Sequence, residues 1–202
     1  MTDYFAHRAA DWDNPSKIEM TEIFISALSN NINYQKDWKA LEIGAGTGLV
    51  GLQILPYVNS VVFEDTSEAM LQVLKKKLQG DENIEIIHAE VLDYKKQDID
   101  LIFSSMAFHH IIDIEATINH LYQITKPGAY ILIGDLRTED GSFHNFESIP
   151  HQGFDTQDLS EKFTNAGFKV QSAETYNILK RERIPGKMSE YEQFLLIAKK
   201  EI

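Results

Sequence analysis

The 202-residue sequence contains no cysteine. That excludes a disulfide framework, a thiol nucleophile and thiolate-ligated zinc, and it fits a reducing compartment, so a cytoplasmic location is expected. Proline is scarce, at five residues, and no Pro-rich or low-complexity linker interrupts the chain, so residues 1–202 read as a single domain. No apolar run reaches the length needed to cross a bilayer, and no membrane role is expected. The opening stretch MTDYFAHRAADWDNP has neither the basic nor the apolar region of a signal peptide. Basic residues are outnumbered 19 to 31, for a formal net charge of −12. Such a surface repels phosphate backbones, so nucleic acid is not an expected partner. The one basic run, Lys75, Lys76 and Lys77, reads as the solvated face of a helix.

What the sequence does have is alternation. Residues 16–32 carry Met20, Ile23, Phe24, Ala27 and Leu28 at helical spacing behind Pro15. Short apolar runs at 39–43, 61–64, 84–88, 101–104 and 130–134 read as strands. Helices are expected over about 47–55, 67–78 and 114–124, with another over 155–166 that Asp155 caps and Gly167 closes. Two last strands, 168–173 and 194–198, are expected on either side of a long loop, 177–189. This order predicts a doubly wound, mostly parallel sheet with helices on both faces, a three-layer α/β/α fold that binds ligands at the carboxyl ends of its strands.

The most informative stretch is Leu41-Glu42-Ile43-Gly44-Ala45-Gly46-Thr47-Gly48-Leu49. A strand that runs through glycines into a helix brings backbone N–H groups close to a ligand. Gly46, Gly48 and Gly51 satisfy the dinucleotide pattern GxGxxG, but the glycine that directly follows the strand is Gly44, and from it the spacing is GxGxG. Glu42, two residues earlier, would repel a pyrophosphate and suits a cationic ligand with an amino group. Asp65, at the end of the second strand, can accept both hydroxyls of a ribose. Strand alternation is expected to turn its neighbour Glu64 the other way. Glu90, after the third strand, can accept from an adenine amino group.

With these residues the sequence resembles the class I S-adenosylmethionine-dependent methyltransferases. LEIGAGTGL looks like the family's first motif, EDTSEAML its second and HAEVLD its third, with Glu90 in place of the commoner Asp. DIDLIFSSMAFHHI and ITKPGAYILIGD resemble the fourth strand and the helix–turn–strand after it. The resemblance implies a seven-stranded sheet whose last strand is antiparallel, and S-adenosylmethionine as cofactor. It implies that Gly44, Ala45 and Gly46 cradle the methionine end, with Glu42 and Gly48 in the same turn. It implies further that Asp65 and Thr66 hold the ribose, that Met70, Glu90 and Val91 lie at the adenine, and that Ser104 or Ser105 lies near the sulfonium.

Methyl transfer needs a base only when the acceptor must lose a proton. Candidate bases or substrate contacts come from loops at strand ends: His109 and His110 after the fourth strand, Asp135 after the fifth, and His144 and His151 in the long segment RTEDGSFHNFESIPHQGF. His110, His151 and Asp135 are the catalytic candidates, and His109 and His144 the substrate contacts. Each histidine can equally be a packed or solvated one. No metal ion is expected, because the adjacent His109 and His110, with Asp113 nearby, rarely both reach one ion. Residues 1–32 read as a lid and helix, with Tyr4, Phe5 and Trp12 over the site or anchoring the leader. The pattern DLxxEDGSFH followed by HxGFD resembles a bacterial subgroup of small-molecule methyltransferases, so a small-molecule acceptor is expected. The alternatives are a protein or tRNA methyltransferase, an NAD-dependent oxidoreductase, and a catalytically silent cofactor-binding module.

Overall fold

The computed structural model describes residues 5–80 and 82–202. Tyr4 lies outside the described residues. Seven strands form one sheet: β1 (Lys39–Ile43), β2 (Ser60–Asp65), β3 (Ile84–His88), β4 (Ile99–Ser105), β5 (Thr125–Leu136), β6 (Phe168–Ile184) and β7 (Lys187–Lys200). Their order is β3-β2-β1-β4-β5-β7-β6. β1 to β5 pair in parallel, and β7 runs antiparallel to both β5 and β6. The chain reverses its direction of travel across the sheet between β1 and β4, which puts the topological switch point at the carboxyl ends of those two strands.

Period-two alternation assigns the strand residues to two faces. Leu41, Ile43, Val62, Ile102, Ile131 and Ile133 pack on one side with Ile118 and Leu121 of α4 (Ile114–Ile124) and Leu159 and Phe163 of α5 (Thr156–Asn165). Ala40, Val61, Phe63, Leu101, Phe103 and Leu132 pack on the other with Phe24 and Leu28 of α1 (Pro15–Asn31) and Leu71 and Leu74 of α3 (Glu68–Lys77). Each fully buried Leu or Phe in these layers contributes roughly 1.5–3 kcal/mol. Side-chain caps set the helix starts: the Asn14 side chain accepts the Lys17 N–H, Ser67 that of Met70, Asp113 that of Ala116, and Asp155 those of Gln157 and Asp158. No helix among the described residues is long and apolar enough to cross a membrane.

Three local expectations are corrected. The helix after the glycine turn is a short α2 (Gly51–Ile54) followed by a 3-10 turn, Leu55–Tyr57, rather than a helix from residue 47. The glycine turn holds residues 44–48 in irregular backbone, and Pro56 in the 3-10 turn cannot continue a helix. The expected loop at 177–189 is a continuation of β6 and β7, joined at Pro185-Gly186. Gly186 takes φ +76° there and its N–H donates to Glu182 Oε1. This hairpin outgrows the sheet because Leu179 and Tyr191 bury themselves against Leu136, with Met20, Met106 and Phe143 packed around them. Glu64, finally, does not turn away from the glycine turn: it is buried, and its carboxyl accepts the Gly44 N–H.

Candidate functional site

A cavity of about 440 Å³ opens at the carboxyl ends of β1, β2 and β4. One end is built by the glycine turn. Gly44 takes φ +66°, and a Cβ there would lie 2.3 Å from Ala107 Cβ, so only glycine lets the loop after β4 close on the turn. Glu42 is buried at the strand end, where the Gly51 N–H donates to its Oε2 over 3.0 Å. Burial, chiefly, pushes the carboxyls of Glu42 and Glu64 well above the usual range, and the negative Asp65 pushes both the same way. The Asp65 carboxylate accepts the Gly46 N–H on Oδ2 and the Ser67 N–H on Oδ1, both at 2.7 Å.

Thr66, Met70, Glu90, Val91 and Ser105 also border the cavity, as do Ala45 and Gly46. Gly48 and Ser104 do not. Gly48 backs onto Leu74 and Leu52, and Ser104 is buried with its hydroxyl donating to the Ile43 carbonyl at 3.1 Å. The leader crosses over this end. Asp13 accepts a hydrogen bond from the Thr47 hydroxyl and pairs with Lys77, whose ammonium also donates to the Thr47 carbonyl. Those contacts seat Phe5 and Trp12, packed edge to face at 5.8 Å, on the cavity wall.

The other end is histidine-rich and cationic. His109 and His110 sit on the 3-10 turn Phe108–His110, and His144 ends the 3-10 turn Ser142–His144 in the loop after β5. The fold brings the three rings together, with centroids 4.2 Å (His109–His110), 4.8 Å (His109–His144) and 5.5 Å (His110–His144) apart. Asp135 does not border the cavity; it is fully buried behind His109 and reaches it only through that ring. His151 is also off the cavity, its ring tilted against Phe154 at 5.4 Å and its backbone N–H donating to the His109 carbonyl. Burial, followed by the neighbouring His109, lowers His110 to about 3 and His144 to about 4, so both are neutral rings near pH 7.

Sequence reasoning missed the cations. Arg8, Lys17 and Arg183 all border the cavity. Burial and the positive Arg183, Arg8 and Arg181 lower Lys17 to about 8. Its ammonium lies 4.3 Å from the Trp12 ring centroid, and the Arg183 guanidinium 5.0 Å from that of Phe143. Among the described residues, neither Lys17 nor Arg183 is paired with a carboxylate. Arg183 was out of reach because it sits on the hairpin that reads as loop. The available signal was the alternation on both sides of Pro185-Gly186, a hairpin signature.

The profile of a methyltransferase domain matches residues 41–133, the stretch that runs from within β1, through the glycine turn, into β5. An uncharacterized methyltransferase of Oceanobacillus iheyensis is 30% identical over 165 residues, covering 77% of this chain and 76% of that protein. The chain belongs to the class I S-adenosylmethionine-dependent methyltransferases. A malonyl-[acyl-carrier protein] O-methyltransferase of Ilyobacter polytropus is similar to this methyltransferase at 29% identity, over 84% of this chain and 67% of its own length. A chain of the complex between the Haloferax volcanii Trm112 methyltransferase activator and its methyltransferase shares the fold of this methyltransferase. It aligns over 100% of both chains at TM-score 0.82 and 16% identity.

Proposed function

We propose that this methyltransferase transfers the methyl group of S-adenosylmethionine to a small anionic acceptor. The observation that carries the reading is the polarity of one continuous cavity, with buried and partly buried acids at the glycine turn and, at the far end, cations that have no carboxylate partner among the described residues.

At the turn, the residues fit the cofactor. A Cβ on Gly46 would meet nothing nearer than Trp12 Nε1 at 3.8 Å, so the backbone faces open space. A buried carboxyl such as Glu42 ionises most readily against a cation, which suits an ammonium group. In this reading Gly44, Ala45 and Gly46 cradle the amino-acid end, Asp65 accepts the ribose hydroxyls with Thr66 beside it, and Met70, Glu90 and Val91 hold the adenine. Ser105 borders the reacting centre. Bound there, S-adenosylmethionine supplies a methyl group already activated on a sulfonium, and the chain has to position the acceptor and exclude water.

Phe5 and Trp12 exclude water from above. Lys17, Arg8 and Arg183 receive the acceptor. In a chain of net charge −12, cations that converge on a cavity repel one another, and an anion that joins them relieves that repulsion. A flat or extended polymer does not suit a cavity of about 440 Å³, whereas a metabolite-sized molecule does.

The test is methyl incorporation from labelled S-adenosylmethionine into a panel of small acceptors matched in size and differing in charge. Label entering carboxylate- or phosphate-bearing acceptors, and lost in Arg183→Ala with cofactor affinity retained, is the expected result. Incorporation confined to neutral or cationic acceptors, polypeptide or RNA contradicts the reading.

A further inference from the structure

We propose that His109, His110 and His144 are the protein ligands of a divalent transition-metal ion at the acceptor end of the cavity. One ring nitrogen from each lies within 4.8 Å of the others. His109 Nδ1 meets Asp135 Oδ1 at 2.6 Å, and the His109 backbone N–H donates to Asp135 Oδ2 at 3.0 Å. The carboxylate claims the Nδ1 proton, so the neutral ring carries its lone pair on Nε2. A carboxylate behind a histidine, fixing its tautomer and aim, is the usual outer shell of a metal-binding imidazole.

That lone pair faces His144 Nε2 at 3.2 Å. With His109 neutral, the contact is a hydrogen bond only if His144 carries its proton on Nε2. Its Nδ1, buried and without a hydrogen-bond partner among the described residues, is then a bare acceptor. In the other tautomer two lone pairs oppose each other and Nδ1–H is a bare donor. A cation between the two Nε2 atoms turns that opposition into two bonds. Nitrogens bound to one tetrahedral zinc at about 2.0–2.1 Å stand about 3.3 Å apart, close to the distance here.

The supports are rigid. Glu139 Oε2 accepts the N–H groups of Gly141 and Phe143, and the hydroxyls of Ser142 and Tyr191 meet at 2.6 Å, so the turn that carries His144 is held from both sides. Three imidazoles without a thiolate suit zinc, nickel, copper or iron and not magnesium or calcium. Three ligands also leave positions open toward the cavity. The expectation of no metal counted only neighbours in sequence. Asp113 instead caps α4, while the fold delivers His144 from 35 residues away and sets Asp135 behind His109. The ion's role rests on the proposed function: it would hold the acceptor's oxygen, nitrogen or sulfur and make its proton easier to lose.

The test is titration of the full chain, stripped with chelator, with Co²⁺ followed by visible absorption. The expected result is one equivalent bound with the intense bands of a low-coordinate cobalt site, displaced by Zn²⁺. Affinity falls by about 100-fold or more in His144→Ala and in His110→Ala, and by about 10–100-fold in Asp135→Asn. Circular dichroism reports whether each variant folds, and the two histidines lie on separate turns, so either folded variant decides. No such site in the wild type, or unchanged affinity in a folded histidine variant, overturns the proposal. S-adenosylhomocysteine is titrated in parallel: its binding without cobalt binding rejects the metal alone, and cobalt binding without it rejects the cofactor reading.

Discussion

Nδ1 of His109 lies 2.6 Å from Oδ1 of Asp135, and neither residue is more than 1% exposed. The same carboxylate accepts the backbone N–H groups of His109 and Leu136, so one buried acid ties the turn after β4 to the end of β5. Asp135→Ala strands three buried donors at about 1–3 kcal/mol each, partly relieved by relaxation. The expected loss is about 3–5 kcal/mol, with a smaller loss for Asp135→Asn, read as the urea midpoint at constant m-value. A loss below about 1 kcal/mol for the alanine variant would show that the pair organises nothing.

Glu42 makes stability and binding pull in opposite directions. Its folded-state value is raised, so the proton it keeps stabilises the fold fully below the ordinary carboxylate range, and that contribution is lost as pH rises through the raised value. Glu42→Gln therefore raises the melting temperature at pH 8, by an amount on the order of 1 kcal/mol or about 2–4 °C, with a margin that shrinks toward pH 4.5. A cation bound beside Glu42 lowers its value again, so cofactor binding releases protons and tightens as pH rises. The groups that act on Glu42 are the Gly51 N–H, Asp65 and Lys77. Calorimetry in buffers of different ionisation heat checks the release, and Glu42→Gln should abolish it.

Lys17 gives the acceptor end its own pH dependence. At about 8 its charge is present below that pH and lost above it. KM for an anionic acceptor should rise as pH passes 8, with little change in cofactor affinity. Lys17→Gln should raise KM at pH 7 and remove the inflection. Arg8, Arg181 and Arg183 face Lys17, and His110 and His144 lie across the cavity, but the arginines stay charged and both histidines are already neutral in this window. An inflection that persists in Lys17→Gln would assign it elsewhere.

A substitution on the hairpin distinguishes the two ends of the cavity. Arg183 lies on the hairpin and borders the cavity, while the glycine turn follows β1 on the other side of β4 and β5. Arg183→Ala should raise acceptor KM by about 10-fold or more, the worth of one charge-assisted contact. Its S-adenosylhomocysteine affinity should match the wild type. Equal losses of both would mean that the hairpin supports the whole fold.

The glycine-turn end of the cavity was legible because it is local: one strand–turn–helix unit holds Glu42, Gly44, Ala45 and Gly46, and Asp65 follows at the next strand end. The seven-stranded sheet and its antiparallel last strand were implied by the family resemblance that those motifs carry. The acceptor end is assembled from α1, the turn after β4, the loop after β5 and the hairpin, and no spacing in sequence links Lys17, His110, His144 and Arg183. His109 and Asp135 illustrate the difference. Each was singled out, yet only the parallel pairing of β4 with β5 brings them together. His151 was singled out on equal grounds, and its ring packs on Phe154 instead. Glu64 was misread because alternation fixes a strand face but not which backbone N–H waits at the strand end.

In the proposed function the glycine turn with Asp65 holds the donor of the methyl group. Isothermal titration of S-adenosylhomocysteine into the wild type and Asp65→Ala decides whether it does. Saturable one-to-one binding, weakened about 10–100-fold by the loss of the carboxylate, is the predicted result. No saturable binding to the wild type, or equal affinity in the two proteins, would contradict it.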